Sequence, residues 1–187
     1  MNKGKIIILN GVSSSGKTTL AKALQNCLKE EYIYISSDEF MEMLPGKMLR
    51  RNKLEAFYKR EEILVRMAKM LSEMGLNVIV DDVITTWSPV FEYYLDLLHE
   101  YPVLLVKVEC PLPELRRREL VRGDRERGLA ERQLTQLVPQ EGYDVTVNTF
   151  EHTVIACAEI IAERLTDAGG GSAMERLWRQ RAEKKGL

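Results

Sequence analysis

Two patterns of apolar positions alternate along the chain. Nearly unbroken aliphatic runs occur at Lys5 to Leu9 ("KIIIL"), Asn77 to Asp82 ("NVIVDD") and Val103 to Glu109 ("VLLVKVE"). Parallel strands covered on both faces read this way, because neither face can be polar. Tyr32 to Ser36 ("YIYIS") and Tyr143 to Asn148 ("YDVTVN") alternate more, which puts them nearer the edges of a sheet. Between these runs, apolar residues recur at three- and four-residue spacing: Leu20, Leu24, Cys27 and Leu28; Leu64, Met67, Ala68, Leu71 and Met74; Phe91, Tyr94, Leu95 and Leu98; Val154, Ala158, Ile161 and Leu165. The alternation of strand and helix predicts an α/β fold, a parallel sheet with helices on both faces.

Beyond the last helical pattern, Gly169, Gly170, Gly171 and Ser172 read as a flexible link. The residues after it, from Glu175 to Leu187, carry five basic and two acidic side chains, net +3. Two readings stand for this basic, helix-compatible tail: a frayed or loosely docked extension, or a segment that packs on a neighbouring subunit of a homo-oligomer through Leu177 and Trp178.

Composition narrows the function classes. A chain of 187 residues suits one domain, and 45% hydrophobic with 29% charged residues is ordinary globular usage. With 27 basic against 28 acidic residues the net charge is −1, so no global field exists to hold a nucleic-acid backbone, and any anion must be bound locally. Cys27, Cys110 and Cys157 are widely spaced without a CxxC pair, which reads as buried free thiols rather than a disulfide framework or a zinc site. No apolar run is long enough to span a bilayer, and the expected setting is the cytoplasm, with no membrane partner.

The chemistry is announced by "GVSSSGKTTL" directly behind the first strand. Gly11, Gly16, Lys17 and Thr18 satisfy GxxxxGK[ST] at a strand-to-helix junction, the context that gives the motif its meaning. Glycines let the loop Gly11, Val12, Ser13, Ser14, Ser15, Gly16 curl so that backbone N–H groups, continued by Lys17, Thr18 and Thr19, point at phosphate oxygens, and the helix adds its positive dipole end. Lys17 is expected to reach the β- and γ-phosphates of ATP, and the Thr18 hydroxyl to ligate Mg²⁺. Asp81 ends an apolar strand, where a carboxylate would face the metal; strand alternation turns Asp82 elsewhere, toward an acceptor. The bland alternative is a pair of exposed acids capping the next segment.

Asp38 follows the second strand, at the carboxyl end of the sheet, where ligands of open α/β folds gather. It could take the proton of an attacking hydroxyl, or it could be the first-turn acid of a helix, since Ser36 and Glu39 have capping-box spacing. Met41, Met43, Leu44 and Met48 cluster just beyond it, with Met41 and Met48 as tentative substrate contacts or as core. Arg118, Arg122 and Arg125 share one face if their helix holds, Glu119 and Glu126 point away, and Gly123 could hinge a lid that closes arginines over a transferring phosphoryl group. A solvated, salt-bridged helix is the competing reading. His99 and His152 have no metal-ligand neighbours, so no chemical role is assigned to either.

Taken in order, "IILNGVSSSGKTTLAKALQ", "SSDEFMEMLPGKM", "VIVDDV", "RRRELVRGDRERG" and "EGYDVTVNTFEHTVIACAEIIAERL" resemble the chloramphenicol phosphotransferase family of P-loop kinases over about residues 3 to 166. The resemblance implies the five-stranded parallel core of the nucleotide and shikimate kinases, with a kinase domain over 1–167, a small helical lid about 112–137, and a linker and tail over 168–187. It implies Mg²⁺- and ATP-dependent phosphorylation of a hydroxyl on a small molecule, with Asp38 as general base, Lys17 as the P-loop lysine and Arg118, Arg122 and Arg125 as lid arginines. One departure bears on the acceptor: where the chloramphenicol enzyme has a long glycine-rich insertion after "MLPGKM", this chain has the short "LRRNKLEAFYKREE". Nucleoside, nucleotide, adenylylsulfate or zeta-toxin-type sugar-nucleotide kinases therefore stay open, with Lys47, Arg50 and Arg51 as cations for an anionic substrate. A nucleotide-binding regulatory module is the alternative of another class.

Overall fold

The computed structural model describes residues 2–86, 89–123, 126–138, 142–166 and 172–185. Five strands, β1 (Ile6–Asn10), β2 (Tyr32–Ser36), β3 (Asn77–Asp82), β4 (Val103–Glu109) and β5 (Val145–Asn148), form one parallel sheet in the order β2-β3-β1-β4-β5. The two alternating sequences, β2 and β5, are the edges, and β1 at the centre is buried throughout. Its alternate side chains feed two cores. Ile6 and Ile8 join Val78, Val80, Leu64 and Leu95 on one face; Ile7 and Leu9 join Ile79, Leu20, Leu24 and Ile161 on the other. Burying one such aliphatic side chain is worth roughly 1.5–3 kcal/mol, so this two-sided strand anchors the loop that follows it.

The helices follow from the same periodicities. Helix α1 (Lys17–Cys27) and α8 (Val154–Thr166) cover one face, while α4 (Lys53–Glu73) and α5 (Val90–Leu98) cover the other. Two short helices, α2 (Ser37–Met43) and α3 (Gly46–Arg51), cross the carboxyl end of β2 before α4. Helix α6 (Leu112–Arg122) and α7 (Leu129–Leu134) follow β4 and fall inside the stretch expected to form a lid. Buried Asn10 ties the carboxyl edge together: its amide donates to the Ile84 carbonyl at 3.1 Å and to the Tyr143 hydroxyl at 2.9 Å, and its oxygen accepts from the Ile84 N–H at 2.8 Å. Among the described residues no helix is long and apolar enough to cross a membrane.

The carboxyl-terminal segment takes the docked rather than the frayed form of the expected extension. Helix α9 (Ala173–Lys185) docks on its own chain against α5 and β4, burying Ala173 and Met174. Leu177 and Trp178, the side chains assigned to a neighbouring subunit, pack within this core, and the Trp178 ring stacks on His99 with centroids 4.1 Å apart. Asp144 accepts from the Ala173 N–H at 2.6 Å, and Arg181 pairs with Glu92 and Asp96. The helix is held by contacts 29 to 89 residues distant in sequence, which no local pattern announces. Gly169 to Gly171 lie outside the described residues. The thiols also depart in part from expectation: Cys110 and Cys157 are buried, but Cys27 at the end of α1 is exposed.

Candidate active site at the P-loop

The loop between β1 and α1 is shaped by backbone demands that only certain residues meet. Gly16 caps α1 with φ 96°, and Ser14 is the described non-glycine residue with positive φ, at 63°. A Cβ on Gly11 would lie 2.5 Å from the Val108 carbonyl oxygen and 2.8 Å from Ser15 Oγ, so the chain can pass β4 here only as glycine. Ser14 Oγ and Ser15 Oγ are buried with no partner among the described residues, and buried hydroxyls in a curled loop suit phosphate oxygens. Val12 turns away and joins Cys110, Leu115 and Ala130 in a small apolar cluster under α6.

Opposite the loop, Asp81 gathers three groups. Its Oδ2 accepts from the Thr18 hydroxyl at 2.7 Å and from the Tyr34 hydroxyl at 3.2 Å, and its Oδ1 lies 3.8 Å from Lys17 Nζ. Lys17 also donates to the Val12 carbonyl at 3.1 Å. Burial, reinforced by the neighbouring Asp81 carboxylate, pushes the Tyr34 hydroxyl up to about 12, so it stays a donor. A hydroxyl and a carboxylate in contact beside a phosphate cradle are the oxygen ligands that Mg²⁺ takes alongside a nucleotide, and the site fits that ion.

Lys17, Thr18 and Asp81 line a cleft of about 480 Å³ that also contains Asp38, Arg118 and Arg122. Asp38 is exposed to it from the first turn of α2, where Ser36 Oγ accepts from the Asp38 N–H at 3.3 Å. The helix-capping and the cleft-lining readings of this segment are thus both realised. Met41 and Met48 are half-buried and do not line the cleft. Asp82 departs from its expected direction toward an acceptor: it is 1% exposed, lies outside the cleft lining and accepts from the Tyr94 hydroxyl at 2.7 Å in the core beneath α5.

The arginine row is better paired than its spacing suggests. Gly123 adopts φ 70° and caps the carboxyl end of α6, just beyond Arg122. Arg125 lies outside the described residues. Arg118 is partly neutralised by Glu114, one turn earlier, at 2.8 Å, and Arg117 holds the same carboxylate at 2.7 Å. Hydrogen bonds from Arg117 and Arg118 bring Glu114 down to about 2. The Arg118 guanidinium donates onward to Thr149 Oγ1 at 3.1 Å, the Thr149 carbonyl at 3.2 Å and the Ser14 carbonyl at 3.4 Å, joining α6 to the P-loop. Glu119 is buried and accepts from the Gly128 and Ala130 N–H groups, which fixes the turn into α7.

Three site residues escape the sequence reading. Thr149 also donates to the Ser15 carbonyl at 2.7 Å, and its place just beyond a parallel strand was the available signal. Tyr34 reaches Asp81 from the edge strand, and Gln133 on α7 accepts from the Ser13 N–H at 2.7 Å; neither has a local signature.

This geometry coincides with a match of residues 4–166 to the chloramphenicol phosphotransferase-like protein family. The chain belongs to that family. A Mycobacterium tuberculosis relative provisionally named an O-phosphotransferase is 33% identical over 155 residues, covering 68% of this chain and 67% of that protein. The cytidine diphosphoramidate kinase of Campylobacter jejuni is 33% identical over 122 residues, covering 63% and 68%. The M. tuberculosis APS kinase solved with AMPPNP and APS superposes with a TM-score of 0.66 at 16% identity, covering 88% of this chain and 99% of that one, a likeness of fold. This member of the family is a small-molecule kinase of the P-loop type.

Proposed function

We propose that the protein is an ATP-dependent O-phosphotransferase that moves the γ-phosphoryl group of ATP to a hydroxyl of a small molecule, with Asp38 as general base. One observation carries the reading: Asp38 shares a single cleft with Lys17, Thr18 and Asp81. In the transfer, the acceptor O–H proton passes to the Asp38 carboxylate, the acceptor oxygen bonds the γ-phosphorus, and the bridging bond to ADP breaks. Lys17 and the backbone N–H groups of the loop stabilise the charge on the β- and γ-oxygens, and Arg122 and Arg118 add cations from α6. Arg125 is proposed to join them. When bound, Mg²⁺ would be held by Thr18 and Asp81 and would neutralise phosphate charge.

The acceptor class that the family name suggests is an antibiotic of the chloramphenicol kind or a related metabolite, as in a resistance enzyme. The chain after Met48 forms α3 and α4 in place of an inserted loop, so the acceptor pocket has its own shape. A second reading, an anionic nucleotide-like acceptor, is favoured by the name of the Campylobacter relative and by exposed Lys47, Arg50 and Arg51 on α3. The test is Asp38→Asn. Acceptor-dependent turnover should fall by roughly 100-fold or more while binding of a non-hydrolysable ATP analogue stays within about twofold. Equal turnover in the variant would remove Asp38 from the chemistry.

A further inference from the structure

Helix α7 is tied down at both ends. The Glu119 carboxylate accepts from the Gly128 and Ala130 N–H groups at its start, and the Gln136 carbonyl just past its end accepts from the Thr86 N–H at 2.8 Å. Ala130 is buried with Val12, Cys110 and Leu115, so the helix and the first part of the phosphate loop share one apolar cluster. A side chain on α7 that faces the cleft therefore has its place set before a ligand arrives. Gln133 is such a side chain, lining the cleft together with Lys17, Thr18 and Asp38.

Its contact with the loop is specific. Gln133 Oε1 accepts from the Ser13 N–H at 2.7 Å, while Lys17 Nζ donates to the Val12 carbonyl at 3.1 Å. That N–H and that carbonyl belong to one peptide group, so the glutamine and the lysine grip its two ends. Lys17 is the cation of the motif that reaches the β- and γ-phosphates, and only that peptide group and two hydrogen bonds separate Gln133 from it. Because the Ser13 N–H can only donate, it fixes which end of the carboxamide turns to the loop. The two N–H donors of Nε2 are left over, and among the described residues they meet no acceptor. We propose that Gln133 is a γ-phosphate contact: with its oxygen anchored on Ser13, its Nε2 donates to an oxygen of the γ-phosphoryl group of ATP. It is thereby the residue on α7 that tells ATP from ADP.

Residue chemistry favours this role over that of a brace for the loop. A brace needs only an acceptor, and a carboxylate would hold the Ser13 N–H more strongly than an amide does. A carboxylate would also set a negative charge beside a polyphosphate, at a half-buried position where solvent screens incompletely. The amide accepts from Ser13 as a brace must, yet it presents donors and no charge to the cleft. Anchoring of the loop to α7 is in any case shared by Val12, which packs against Ala130 in the apolar cluster.

The contact rests on the cleft holding ATP, as proposed above, and not on Asp38 acting as base. The experiment measures Kd for AMPPNP and for ADP at one Mg²⁺ concentration by titration calorimetry, in wild type, Gln133→Glu and Gln133→Met. Gln133→Glu keeps an acceptor for Ser13 but replaces the donors with charge, so AMPPNP binding should weaken at least about 30-fold and ADP binding by less than about threefold. Gln133→Met removes acceptor and donors together, and the preference for AMPPNP over ADP should fall about tenfold. Unchanged binding in Gln133→Glu, or equal weakening of both nucleotides in either variant, is what a brace predicts and overturns the assignment. If Gln133→Glu does not fold, Gln133→Met decides by the same comparison. Wild type that binds neither nucleotide overturns the ATP reading and this contact with it. Wild type that binds both, with a preference that the variants leave alone, overturns this contact and spares that reading.

Discussion

Arg118 is where the lid, the P-loop and the segment after β5 meet, so its removal offers a quantitative test of how the cleft is held. In Arg118→Met the bond to Glu114 is lost, and so are two bonds to Thr149 at 3.1 and 3.2 Å. The side chain is 26% exposed, so the contacts to Thr149 are counted at about 1 kcal/mol each, the bridge to Glu114 at close to zero, and the 3.4 Å approach to Ser14 not at all. The joint between α6 and the phosphate loop is then worth about 2 kcal/mol, and if nucleotide binding requires it closed, the Kd for an ATP analogue rises roughly 30-fold. Arg116→Met is the control: among the described residues Arg116 pairs with exposed Glu131, and it lies outside the cleft lining, so it should change Kd by less than about fivefold. Isothermal titration of both variants gives the answer. Equal Kd changes, or an Arg118→Met variant that loses only kcat, would refute the anchoring argument.

Three further outcomes follow from particular contacts. Tyr34→Phe removes one of the two hydroxyls that orient Asp81, and the Mg²⁺ concentration needed for half-maximal nucleotide binding should rise about tenfold by titration calorimetry. Trp178→Ala strips the stack on His99 from a half-buried site and should cost about 2 kcal/mol, lowering Tm by roughly 4–8 °C with an unchanged elution volume; a changed elution volume at constant Tm would instead restore the neighbouring-subunit reading. Glu114 is held down to about 2 from 4.5, so its bridges stabilise the fold fully above pH 5, and that contribution disappears as pH falls through about 2. Glu114→Gln should flatten this part of the acid limb in thermal melts from pH 5 to pH 2, and an identical limb would count against the bridges.

The phosphate loop was legible because each of its residue types answers a local demand: glycine where a Cβ would strike Val108, Lys17 and Thr18 where the helix begins. Edge and central strands were legible for a similar reason, since β1 must satisfy two cores while β2 and β5 face one neighbour each. What escaped depends on partners remote in sequence. Spacing put Arg118 and Arg122 on one face, but the groups that Arg118 ties to α6 are Thr149, beyond β5, and the Ser14 carbonyl in the phosphate loop. Alternation turned Asp82 away from Asp81, but its destination, Tyr94, sits on a helix whose placement no local pattern supplies. The glycines before α9 suggested a loose tail, whereas Glu92, Asp96, His99 and Asp144 hold that helix in place.

The central claim is phosphoryl transfer from ATP to an acceptor hydroxyl at Asp38. It is tested most directly by mass spectrometry and ³¹P NMR of reaction mixtures containing enzyme, Mg²⁺-ATP and a panel of hydroxyl compounds, with Asp38→Asn run in parallel. The expected result is one compound carrying a single phosphate ester, formed in step with ADP and absent with the variant. ADP formed with inorganic phosphate alone across a panel that spans uncharged and anionic acceptors, at the same rate in both proteins, would contradict it.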